Sequence, residues 1–172
     1  MEADIEVWQR YLDNAKSQLS ACEVLNRDYH QATHFLGPIL LLLGFAVEIF
    51  LKSVLLRHGC TPKELKGLGH DLNALRERSE ECLPDLRHQA VLWSEHLTGG
   101  SACVPRASGM SPAQQFERDL ASLAKLHADR ERKFALRYPT ESFSVPDPTL
   151  LIGVFEGLLK DFESGSSLIK VP

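Results

Sequence analysis

No two cysteines in this sequence stand at the spacing of a metal ribbon or a redox pair. The four present, Cys22, Cys60, Cys82 and Cys103, lie far apart and form no CxxC, which excludes a zinc ribbon and a thioredoxin-like centre. Reduced thiols in a cytoplasm are the simplest expectation. The opening Met1-Glu2-Ala3-Asp4-Ile5-Glu6 is acidic and lacks the basic-then-apolar pattern of a signal peptide. From Phe35 to Val47 no residue is charged, but Glu48 and Lys52 then interrupt the run. A span needs about 20 apolar residues, so a buried core helix, not a membrane helix, is expected. No stretch alternates as a strand, and no internal repeat is visible. The glycines at 99, 100 and 109 precede no Gly-Lys-Ser/Thr, so they make no phosphate loop. Ser101 and Cys103 lack the setting of a nucleophile elbow. The formal net charge of −4 excludes a wholly basic nucleic-acid binder; contact with a polyanion would need a local patch.

What is present is helical periodicity on 172 residues, with 44% hydrophobic and 24% charged composition, enough for one soluble domain with its own core. Ile5, Trp8, Leu12, Ala15, Leu19, Cys22 and Leu25 recur at steps of three and four, predicting an amphipathic helix over about Asp4 to Tyr29. A second, nearly all-apolar helix follows over about Thr33 to His58, with Pro38 tolerated near its start. Thr61 caps a short turn running to Lys66. A third helix begins at His70-Asp71, where Asp71 complements the helix dipole. Further stretches run from Pro84 through Leu97 and from Ser111-Pro112 through Leu126, separated by a loop from Thr98 to Ser111. The last helix spans about Thr149 to Phe162. The expected fold is all-α: a single up-and-down bundle of five to six helices over residues 1–165, with a frayed tail at 166–172.

The second helix is apolar on nearly every side, which predicts burial on every side, either centrally or between two protomers. Its exception is a stripe at steps of four, Gly44, Glu48 and Lys52. A buried Glu48 must be paired or lose its charge, and Lys52 stands in the favourable Glu-before-Lys order. Two readings stay open: a structural ion pair that sets register, or a carboxylate that orients a second basic group at a ligand site.

The run Gly44-Phe45-Ala46-Val47-Glu48-Ile49-Phe50-Leu51-Lys52, followed by Gly69-His70-Asp71-Leu72 with Leu75, resembles the HEPN superfamily. Its members often carry an E-I-x-L-K … H-D-L-x-x-L pattern on their second and third helices. Leu136-Arg137-Tyr138-Pro139 is similar to an element near the end of some members. The resemblance covers about a third of the chain and implies a four-to-five-helix, HEPN-like bundle, frequently a homodimer. It also implies RNA processing, nucleotide binding, or pairing with an antitoxin or nucleotidyltransferase partner in defence. The family's ribonucleases use an arginine, four to six residues and a histidine late in the domain. Here Arg130, Arg132 and Arg137 are followed by no such histidine, which speaks against metal-independent RNA cleavage at that place.

The expectation is therefore a module that binds RNA or nucleotide without catalysis, with Glu48, Lys52, His70, Asp71, Arg137 and Tyr138 gathered at one site. Arg137 would hold phosphate by its fork geometry, and Lys125 to Arg137 is the one locally basic stretch. A rival is a ribonuclease toxin using Arg27 and His34, which have the spacing but lie early in the chain. A third is a purely structural or interaction module. His30 and His34 stand at i and i+4 without an evident third ligand, so no metal is expected, and no cofactor.

Overall fold

The computed structural model describes residues 6–29, 36–100, 109–128 and 145–165. Among these, seven helices and no strand are found: α1 (Val7–Tyr29), α2 (Leu36–Arg57), α3 (Pro62–Leu68), α4 (Leu72–Cys82), α5 (Leu86–Gly100), α6 (Pro112–Ala128) and α7 (Pro148–Ser164). The all-helical expectation holds, and the count of five to six does not. The additional helix is α3, read from the sequence as a short turn. Thr61 forms a full capping box with Glu64, and Pro62 occupies the first helical turn, so two signals that favour helix initiation coincide there. The helix α5 runs on to Gly100, past Thr98 where a loop was expected. The tail at 166–172 lies outside the described residues.

The core is built around α2. Ile39, Leu43, Ala46, Val47, Phe50, Val54 and Leu55 are fully buried, each large apolar side chain contributing about 1.5–3 kcal/mol on leaving water. The amphipathic α1 lies along α2 and buries Leu12, Ala15, Leu19 and Cys22. On the other sides α4, α6 and α7 close over α2. Burial within the one chain is not complete: Leu41 and Phe45 are 43% and 39% exposed, so the chain itself leaves one strip of α2 uncovered. By length and composition α2 could cross a membrane, but 67% of its apolar stretch is buried by the rest of the chain.

Specific contacts fix the crossings. The helix α5 approaches α7 closely at Gly157, where an added Cβ would lie 2.3 Å from the Trp93 ring. The same indole donates to Asp161 at 2.7 Å. Arg76 of α4 holds Glu117 of α6 through two bonds of 2.6 and 2.7 Å, a bidentate pairing that fixes orientation as well as distance. Arg57 reaches across to the Phe162 carbonyl at 2.6 Å and lies 4.9 Å from the Trp8 ring centre.

Candidate functional site

Glu48 sits in mid-helix on α2 and is only 4% exposed. A carboxylate so placed needs donors, and it has three. Lys52, one turn on, donates at 2.6 Å. His70, in the connection between α3 and α4, places Nδ1 at 2.9 and 3.0 Å from its two oxygens. His127, near the end of α6, brings Nε2 to 2.7 Å. Burial pushes the Glu48 carboxyl up, but the bonds from His127, Lys52 and His70 together outweigh it and hold it down at about 2. Glu48 is thus a stable anion that ties three elements together.

The helices deliver these groups for local reasons. Glu48 and Lys52 share a face because residues four apart stack on a helix. His70 is set beside them by the break at Gly69, whose φ of 63° is left-handed and ends α3, a conformation glycine adopts at little cost. His127 needs room, and Gly44 supplies it: a Cβ there would lie 2.6 Å from His127 Nδ1. Phe45 meets the same imidazole edge-on, with ring centres 5.2 Å apart. The small-and-polar stripe on α2 is therefore one device, with Gly44 seating the histidine that Glu48 accepts from.

Lys52 and His70 also line a cleft of about 250 Å³ that opens beside the cluster. Tyr11 and Lys66 complete its polar lining, and Leu56 and Leu65 are part of its apolar wall. Among the described residues no carboxylate lines it. Lys52 and Glu48 are 13% and 6% exposed at their side chains, whereas His70 is 60% exposed. The cleft thus descends from an open histidine edge to a nearly dry ion pair.

Of the residues expected at a site, Glu48, Lys52 and His70 are brought together. Asp71 is engaged elsewhere, capping α4 by accepting from the Asn73 and Ala74 amides at 3.0 and 3.2 Å. Arg137 and Tyr138 lie outside the described residues, as do His30, His34, Ser101 and Cys103. Arg27 pairs with Glu23 at 2.8 Å near the exposed end of α1. At 1.5 Å per residue it is about 24 Å along the helix from Tyr11. His127 is the member that sequence reasoning missed; its one signal was a glycine one turn before Glu48, which marks a close approach to α2.

The chain matches no protein-family description, no curated protein and no solved structure; the resemblance to HEPN proteins stands on the residues quoted for it alone.

Proposed function

We propose that this chain is a HEPN-like module that binds RNA or a nucleotide through the cleft beside Glu48, without cleaving it. The observation that carries the reading is the cleft's lining among the described residues: two lysines, a histidine and a tyrosine, with no carboxylate. Such a lining accepts an anion, because every charged or titratable group offered is a donor or a cation. Its volume of about 250 Å³ is a little below that of ordinary small-molecule sites, about 300–1,000 Å³, and suits one nucleotide unit. The phosphate would lie against Lys66, His70 and Lys52. Tyr11 and the leucines offer a face on which a base can stack.

Glu48 supports this as an orienting group. Its negative charge keeps Lys52 and His70 in place and offsets one positive charge at the back of the cleft. In this reading the module works as a homodimer or with an antitoxin or nucleotidyltransferase partner, and Arg137 and Tyr138 add to the phosphate contact. Titration of the full chain with a single-stranded RNA oligomer and with ATP tests it. Saturable binding of one of them is expected, weakened in Lys66→Ala and in His70→Ala and falling with added salt. Absence of binding by both probes, or equal affinity in wild type and both variants, overturns it. A ribonuclease using Arg27 and His34 predicts instead metal-free RNA cleavage that is lost in His34→Ala.

A further inference from the structure

We propose that Glu48, His70 and His127 form a binding site for one Zn²⁺ ion. Each offers one ligand atom, and the three atoms lie within 4.8 Å of one another. Two imidazoles and a carboxylate are the donor set of zinc sites that keep a fourth position open. The ligands come from three separate parts of the chain, α2, the α3–α4 connection and α6, so their convergence is not an accident of one helix face.

The surroundings are those of a cation site with one open side. Glu48 and His127 form a wall, each 6% exposed at the side chain. His70, 60% exposed, stands where the ion would enter, on the side of the cleft. Gly44 and the Phe45 ring hold His127 in position.

The three ligand atoms, now within 4.8 Å of one another, must adjust to the metal's spacing. Zinc bonds of about 2.0–2.2 Å in a tetrahedral shell put ligand atoms roughly 3.3 Å apart. His127 Nε2 now lies 2.7 Å from Glu48 Oε2, and His70 Nδ1 lies 2.9 Å from Oε1. On loading, each imidazole turns a ring-nitrogen lone pair to the ion and keeps a proton on its other ring nitrogen. The histidine hydrogen bonds to Glu48 are exchanged for three bonds to the metal, and any proton held on the ligating nitrogens passes to solvent. Lys52, 2.6 Å from Oε1, opposes loading, because its charge repels the ion.

That opposition separates this site from the phosphate reading, on which it does not depend. Lys52→Met removes a repulsion from the metal and an attraction from a phosphate, so it should tighten one and weaken the other. The experiment is titration of the chelator-stripped full chain with Co²⁺, then displacement by Zn²⁺. One Co²⁺ per chain is expected, with the visible bands of nitrogen and oxygen ligation and no thiolate charge-transfer band. His70→Ala, at an exposed position, should weaken binding by at least the roughly 10- to 100-fold that loss of an outer-shell partner costs, and His127→Gln should do likewise. Absence of saturable Co²⁺ binding, thiolate bands, or unchanged affinity in His70→Ala and His127→Gln overturns the site. So does unchanged metal affinity in Lys52→Met. Lys66→Ala, which should weaken RNA or ATP binding, should leave the metal affinity as it is, so either proposal can fail without the other.

Discussion

Two carboxylates are buried among the described residues, and they are held in opposite ways. Glu48 has donors from three elements, two of them distant in sequence, and its carboxyl is held down at about 2. Asp119, fully buried on α6, accepts at Oδ1 from its neighbour Arg118, at 2.9 and 2.7 Å, and also has a contact with the Asp147 backbone. Its Oδ2 has no hydrogen bond of ordinary geometry. Burial pushes its carboxyl above the usual aspartate range and the nearby Asp147 charge adds to that, with Arg118 and the Asp147 backbone only partly offsetting it. Similar burial therefore produces opposite shifts, because the donors around Glu48 outweigh burial and those around Asp119 do not. The donors of Glu48 tie α2 to two distant parts of the chain, whereas the main support of Asp119 comes from the adjacent residue.

The largest expected effect comes from cutting that tie. Glu48→Gln leaves Lys52 nearly buried without a counter-charge, which costs about 3–5 kcal/mol and lowers Tm by roughly 6–20 °C for a chain of this length. A fall of only a degree or two would put Glu48 on a level with Asp119 and dissolve the contrast. Gly44→Ala is the next test, because it disturbs the tie without touching a charge. The added methyl meets His127, and overpacking costs about 1–3 kcal/mol, against a helix-propensity gain of up to about 1 kcal/mol. A net loss of stability is expected by thermal melting, whereas a net gain would show that His127 is not seated on α2. Asp119→Asn should be the mildest, within about 1 kcal/mol, since burial already penalises the ionised form that the substitution removes.

Acid titration sharpens the same comparison. Glu48 has a folded pKa below its ordinary 4.5, so its contribution is present above 4.5 and is lost as pH falls towards 2. Asp119 has a folded pKa above its ordinary 3.8, so its contribution is present below 3.8 and is lost as pH rises. Urea unfolding across this range should show stability falling less steeply with acid in Glu48→Gln than in wild type, and more steeply in Asp119→Asn. The reverse order would mean that the two environments have been assigned the wrong way round.

The helices were legible because periodicity, caps and prolines are local properties. The second helix announced itself by composition, and its polar stripe by spacing. What composition could not show was which side of α2 would stay open, since Leu41 and Phe45 are as apolar as their buried neighbours. The Glu48–Lys52 pair follows from helix geometry alone. His70 came through the resemblance to a family pattern, not through any spacing rule. His127, 79 residues from Glu48, depends on how α6 crosses α2, and nothing local encodes that crossing except Gly44. Asp71, adjacent to His70 in the same short motif, is occupied as a helix cap; neighbours in a motif need not share a task.

The central claim is that Glu48 is an anion held by donors from three elements, behind the Lys52 and His70 that line the cleft. It is tested most directly by following the Glu48 carboxyl carbon by NMR as metal-free protein is taken from neutral pH to about 3.5, below the ordinary glutamate pKa of about 4.3. The account predicts a resonance that stays at its ionised position throughout, as expected for a carboxyl held at about 2. A transition with its midpoint at or above 4.5 would mean that burial prevails over the donors, and would contradict it.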